Sequence, residues 1–373
     1  MKVAFLISEI HPTAGQTHNI AEIIKNILST HPEWEISVLS PKIFYPLVEG
    51  INDGRVKVMK IGQYYSAILL RGVMSEMLKD YDIIYIKGNF PYVFPAVKSG
   101  RPTVLVIHQM DSPKLFKGIV PKMRILAANL MTGYTIRKPG TIVTVTDELA
   151  AFYNKKYGVK AQVIEDQISD VYFGAKTRTP PNKSMGVRLL TVGYWDGANG
   201  RKRQDLLLRY FAESIKVRPE LRLSMVGLSE DSLADLCRLS QEMHVSKYVT
   251  MKGFLEEREL MKEYVDNHIY VTATTYEGFY RQIVESFATG MPAIVFDCRS
   301  VVNDLSSSAS VNHVIKSGAG KLFNDAKSFG DSIAEVIYNY DEYSAKAREY
   351  ALRYSSQVTG PKTVKLFEKL KIG

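Results

Sequence analysis

Short aliphatic and β-branched runs recur along this chain, each separated from the next by enough residues for one helix. VAFLI (3–7), ISVLS (36–40), DIIYI (82–86), TVLVI (103–107) and TIVTV (141–145) are near-continuous apolar runs, not alternating ones. That is the mark of parallel strands covered on both faces. Between the first two, Ile20, Ile23, Ile24, Ile27 and Leu28 recur at helical spacing, with Thr17 or Asn19 available as a cap. The segment GAKTRTPPNKSMG (174–186) is poor in apolar residues and holds two adjacent prolines, so it reads as a linker. A second series then opens with RLLTVG (188–193) and continues through LRLSMVG (221–227), IYVTAT (269–274) and PAIVF (292–296), with LLLRYFAESI (206–215) as an intervening helix.

At 373 residues the chain is longer than a single core of about 250–300 residues, which agrees with two βαβ arrays. The expected organisation is α/β: a Rossmann-like domain over 1–173, the linker over 174–186 and a second Rossmann-like domain over 187–353. A helix over 354–373, with Val364, Leu366, Phe367 and Leu370 as its apolar residues, is expected to pack back on the first domain. Ligands of such sheets bind beyond the carboxyl ends of the strands, so a central cleft between facing domains is the expected site.

Two cysteines with no CxxC or Cys/His cluster give no support to a zinc or redox framework and fit a reducing compartment. The first residues, MKVAFLISE, are too short an apolar run for an export signal, and no stretch reaches the roughly 18 apolar residues of a membrane span. The expected location is cytoplasmic, with any membrane contact peripheral on the inner face. Residues 1–180 hold 22 basic and 15 acidic side chains, against 26 and 24 in 181–373, so most of the net charge of +9 lies in the first half. Such a bias favours an anionic partner without choosing among them.

The most informative stretch is NHIYVTATTYEGFYRQIVESFATGMPAIVFD (267–297). A strand ends near Thr274, the turn TYEGFY follows, and a helix begins near Arg281 and stops at Thr289-Gly290 before Pro292. The amides of Phe279, Tyr280, Arg281 and Gln282 then lie at a helix start, a natural site for a diphosphate, and Gly278 lets the backbone approach it. Glu277 in the turn and Glu285 in the helix are suited to accepting hydrogen bonds from vicinal hydroxyls. The competing reading is that glutamates at a helix start serve only the dipole.

The run Glu277-Gly278-Phe279, Glu285 and Gly290-Met291-Pro292 resembles the E-x7-E signature of retaining glycosyltransferases of the GT-B fold, family 4. The resemblance extends to Val192-Gly193, the basic turn Arg201-Lys202-Arg203, MVG (225–227), MKG (251–253) and GKLF (320–323). It implies that Glu277 contacts the donor sugar, Glu285 the ribose and Lys202 the diphosphate, with Gly193 beside the donor. Tyr194 replaces the family arginine after Val-Gly and Arg203 replaces a glycine, so Arg201 is expected to supply the missing charge. Otherwise the basic loop is a solvated turn. No metal or other cofactor is expected, and the leaving phosphate would help take the acceptor proton in a front-side reaction without a covalent enzyme intermediate.

In the first domain the resemblance assigns His108, at a strand end in VLVIHQMDSP (104–113), to the donor sugar; the alternative is a histidine satisfied at a strand end. Asp111 orients an acceptor or starts the next helix. Gly15 stands where the family usually has a Gly-Gly turn near the donor phosphate, with Gln16 and Thr17 either donating to the ligand or joining strand to helix. The segment VIEDQIS (163–169) takes the place of the family's P-N-G-V-D hinge without its Asn-Gly.

Lys114 to Lys138 contains six basic residues and no acidic one, with Ile119, Met123, Leu126 and Leu130 as an apolar stripe. Lys117, Lys122 and Arg124 would then border a helix lying on anionic lipid, or the stripe faces the core with a solvated basic rim. The expected activity is hexose transfer from a UDP- or GDP-sugar to a lipid-linked or oligosaccharide acceptor. A nucleotide-sugar 2-epimerase and a silent accessory subunit are the alternatives, and nucleic acid is not an expected partner.

Overall fold

The structure is a computed structural model that describes residues 1–12, 14–62, 71–88, 90–109, 118–176, 178–181, 186–195, 197, 200–300 and 308–372. The chain divides into two compact units, Met1–Ile168 with Tyr354–Gly373, and Ser169–Arg353.

In the first unit β1 (Lys2–Leu6), β2 (Glu35–Ser40), β3 (Val56–Lys60), β4 (Ile83–Lys87), β5 (Thr103–Ile107), β6 (Thr141–Thr144) and β7 (Gln162–Val163) form one parallel sheet in the order 3-2-1-4-5-6-7. Its described helices are α1 (Gly15–Thr30), α2 (Arg71–Leu78), α3 (Val93–Lys98), α4 (Ile119–Thr135) and α5 (Asp147–Tyr157). In the second unit β8 (Val187–Val192), β9 (Leu221–Val226), β10 (Val249–Lys252), β11 (Ile269–Thr272), β12 (Ala293–Phe296) and β13 (Gly320–Phe323) are again all parallel, in the order 10-9-8-11-12-13. Its helices are α6 (Gln204–Ile215), α7 (Glu230–Glu242), α8 (Glu257–Asp266), α9 (Arg281–Ala288), α10 (Ala309–Ser317), α11 (Ala326–Tyr338) and α12 (Tyr340–Ala351), and α13 (Ser356–Ile372) returns to the first unit.

Every residue of the central strands β4 and β5 is buried, which is why they carry unbroken apolar runs. Of the strands that sequence pattern does not reveal, β3, β10 and β13 lie at sheet edges with half-exposed faces and admit lysines, and β7 is two residues long. In both sheets the order of winding switches after the third strand, so that β1 lies beside β4 and β8 beside β11. The carboxyl ends of strands at such a switch point are where ligands of open parallel sheets bind.

Three expectations are corrected. The chain passes between units at Ile168–Ser169 rather than at 173–174, because Tyr172 packs its ring on Tyr264 with centroids 5.5 Å apart. The flanks of the 174–186 segment are not free linker: Arg178 donates to Tyr264 O and to Tyr340 Oη, both at 2.9 Å, and Lys176 O accepts from Arg348. Helix α1 begins at Gly15 without a side-chain cap. Thr17 instead accepts the His11 amide at 3.1 Å and Asn19 accepts from Lys87.

Candidate functional site

The second unit's site follows from its strand order. The loops after β8 and β11 meet because they leave neighbouring strands, and one carbonyl joins them: Arg201 O accepts from the Thr275 amide at 2.8 Å and from the Thr274 and Thr275 hydroxyls at 3.1 and 3.2 Å. This brings Lys202 Nζ to 2.6 Å from one oxygen of Glu277 and Arg201 to 3.3 Å from the other. Lys202 and Glu277 are both buried. Burial pushes the Glu277 carboxyl upward, but Lys202 and Arg201 outweigh it and hold the group below its ordinary value. Two cations thus converge on one carboxylate at the carboxyl edge of the sheet.

Tyr194, where the family arginine was missed, accepts from Arg201 at 2.7 and 3.2 Å, so it orients the neighbouring cation. Gly193 has φ +144°, and its Cα side faces Lys202: an added Cβ would lie 3.5 Å from Lys202 Cε.

The turn after β11 runs through buried Gly278 and Phe279 into Tyr280, which precedes α9 in the left-handed region at φ +64°. Its hydroxyl bonds Thr272 at 2.7 Å and Tyr270 Oη at 3.1 Å, and Lys202 Nζ lies 4.4 Å from its ring centre. A non-glycine residue at positive φ costs free energy and persists where the surroundings hold it. The α9 start thus places backbone donors next to the Lys202–Arg201 pair.

Glu285 is buried on α9. Tyr264 donates to one of its oxygens at 2.9 Å and Arg281 stands 3.4 Å from the other. Burial first, and then Glu285, push the Tyr264 phenol well above its ordinary range, so it stays a donor. Tyr270 connects the two carboxylate clusters, its ring centre 6.4 Å from that of Tyr264 and its hydroxyl on Tyr280.

In the first unit His108 follows β5, with Nδ1 3.3 Å from Asp166. The buried Lys87, last residue of β4, lies 3.5 Å from the other Asp166 oxygen and also donates to Asn19. Gly15 is exposed at the start of α1; Gln16 bonds Ser8 at 2.6 Å and Thr17 bonds the loop before it. Asp111 and Lys117 lie outside the described residues, as does the side chain of Arg124. Lys122 is exposed on α4, and the apolar stripe of that helix is not core-facing: Ile119, Met123, Leu126 and Leu130 are 80%, 58%, 46% and 69% exposed.

Sequence reading missed Tyr264, Tyr270, His313, Lys87 and Asp166. Lys87 and Tyr270 sit in apolar runs, Tyr264 and His313 in unremarkable helices and Asp166 in the segment after β7, each with a partner elsewhere in the sequence. Among the described residues no three His, Cys, Asp or Glu side chains group to hold a metal ion, and no helix is long and apolar enough to cross a membrane.

Residues 190–354 match the family model described as Glycosyl transferases group 1. A segment of 97 residues is 33% identical to the UDP-N-acetylglucosamine--peptide N-acetylglucosaminyltransferase GtfA subunit of Streptococcus pneumoniae, covering 26% of this chain and 18% of that one. The chain superposes on Anabaena HepE in complex with UDP with a TM-score of 0.74, at 15% identity, over 99% of this chain and 100% of the other. For sucrose-phosphate synthase from Thermosynechococcus elongatus the TM-score is 0.76, at 13% identity, over 99% and 98%. The two parallel-sheet halves therefore have the fold of GT-B glycosyltransferases.

Proposed function

We propose that this protein is a glycosyltransferase that moves a hexose from a UDP-sugar to an acceptor hydroxyl with retention of anomeric configuration. The observation that carries the reading is the meeting of Lys202 and Arg201 on the carboxylate of Glu277, beside the start of α9 and beyond the carboxyl ends of β8 and β11. A departing nucleoside diphosphate gains negative charge as the sugar bond breaks. Preorganised ammonium, guanidinium and amide donors stabilise that charge without a metal ion. Glu277 holds hydroxyls of the sugar, and Glu285, with Tyr264 fixing its orientation, holds the ribose diol. His108, the residue that the resemblance assigns to the donor sugar, is oriented through Nδ1 by Asp166 within the first unit. The choice of uridine is supported by the UDP and UDP-glucose held in the Anabaena HepE structures and by the donor in the name of the streptococcal relative.

The acceptor is lipid-linked or a growing glycan, and α4 makes peripheral contact with an anionic membrane. The support is its exposed Ile119, Met123 and Leu130 beside Lys122, in a segment without acidic residues.

Calorimetric titration tests the donor reading. UDP is expected to bind the wild-type protein more tightly than GDP, and Glu285→Ala to weaken UDP by at least about tenfold, or 1.4 kcal/mol. Full UDP affinity in a folded Glu285→Ala protein removes the ribose contact; no UDP binding by the wild type removes the donor reading altogether.

A further inference from the structure

We propose that Tyr350 and His313 are positioning residues for the donor diphosphate: together they fix the peptide between Phe279 and Tyr280, so that its N–H and not its C=O is presented at the α9 start. The inference rests on the donor site argued above and adds residues outside the E-x7-E stretch.

His313 lies on α10 and is 3% exposed. Its Nε2 is 2.5 Å from Phe279 O and its Nδ1 is 3.0 Å from Tyr350 Oη, on α12. A carbonyl only accepts, so Nε2 carries the hydrogen. In a neutral ring Nδ1 must then accept, and the Tyr350 hydroxyl donates. The ring is neutral because burial, helped by the charges of Lys316 and Arg353, lowers its pKa to about 4 against the Phe279 bond that raises it.

In a planar trans peptide the C=O and the following N–H point in opposite directions. Drawing Phe279 O towards His313 therefore aims the Tyr280 N–H away from α10. The bond is needed because the turn is strained. Tyr280 sits at φ +64°, and a flip of the 279–280 peptide would return it to the ordinary negative region. The same flip would turn a carbonyl oxygen towards the bound anion. Without His313 the strain favours the flip and Phe279 O is buried without its donor; with it, the strained orientation is the one kept.

Two further contacts hold the same turn from the same helix. The Ala309 amide donates to Glu277 O at 3.1 Å, and the Phe279 ring meets His313 edge-on with centroids 5.4 Å apart. Apolar packing alone would fix the turn's position. The imidazole adds a direction for one carbonyl.

The test uses the full chain with three variants, each measured for UDP affinity by calorimetry and for melting temperature. His313→Phe keeps ring volume and removes the donor, and is expected to weaken UDP about tenfold, with turnover assays showing the loss mainly in KM. His313→Gln restores an N–H donor and is expected to recover part of that affinity. Tyr350→Phe, which removes only the ring's second partner, is expected to lose about threefold. If His313→Phe is folded and binds UDP as the wild type does, or if Gln recovers no affinity relative to Phe, the inference is overturned. Should His313→Phe not fold, unchanged affinity in Tyr350→Phe overturns it. Absence of UDP binding in the wild type would instead defeat the donor reading.

Discussion

Glu277 is a buried carboxylate that owes its charge to two neighbours, so its chemistry is set by whichever of them is removed. Lys202→Met leaves Arg201 alone at 3.3 Å and deletes the 2.6 Å contact. The diphosphate loses its buried ammonium, and donor-dependent turnover is expected to fall about 10²–10³-fold, the range for a lost preorganised charge donor. With the stronger counter-ion gone, burial raises the Glu277 pKa, and the residual rate is expected to increase with pH. A pH–rate profile of the variant with the same pH dependence as wild type would show that Glu277 does not need its charge. Gly290 is constrained differently. It stands at φ +76° after α9, and an added Cβ would meet Arg348 Nε at 2.6 Å while that arginine caps Thr289 O. Gly290→Ala is therefore expected to cost about 1–3 kcal/mol in urea unfolding, from strain and a displaced arginine. A loss below a few tenths would show that Arg348 moves aside freely.

At the scale of elements, α13 is a helix whose apolar residues are buried in the first unit. Val364, Leu366 and Phe367 are all buried, Phe367 lies 6.1 and 5.7 Å from the rings of Phe5 and Tyr85, and Lys362 pairs with Glu165 at 2.7 Å. Phe367→Ala removes an aromatic ring from the first unit's core and is expected to cost about 3–5 kcal/mol, read as a shift of that unit's unfolding midpoint alone. An unchanged midpoint would mean the helix is dispensable to the sheet beneath it. The same contrast explains what else was legible. Central strands carry unbroken apolar runs because both faces are covered. Edge strands β3 and β10 carry lysines and threonines that read as loop. Glu277, Gly278 and Glu285 were legible because one turn and one helix set their spacing. His313 was not, for its partner Phe279 lies 34 residues away and nothing local marks a buried histidine as one that holds a carbonyl. Tyr194 read as a departure and proved to be the residue holding Arg201.

At the scale of the molecule, two units of similar architecture need not respond alike to acid. His268 and His313 both belong to the second unit, and burial is the leading cause that lowers each to about 4, with Arg188 and Arg178 adding to it at His268 and Lys316 and Arg353 at His313. Their unfolded value is 6.5. Between 6.5 and 4 the unfolded chain binds protons that the folded unit refuses, so stability rises with pH across that window and is flat with respect to these groups above it. On acidification the second unit is expected to lose on the order of 1 kcal/mol per pH unit through His313, and less through the half-exposed His268. The two tryptophans make this measurable, since Trp34 lies in the first unit and Trp195 in the second. With Trp34→Phe reporting only the second unit and Trp195→Phe only the first, urea midpoints at pH 7.5, 6.0 and 5.0 are expected to fall in the Trp195 signal, and His313→Phe should flatten that fall. A Trp195 midpoint that stays level from pH 7.5 to 5.0 would show that both imidazoles take up protons in the folded unit as readily as in the unfolded chain, and with it would go the neutral His313 on which the Phe279 carbonyl depends.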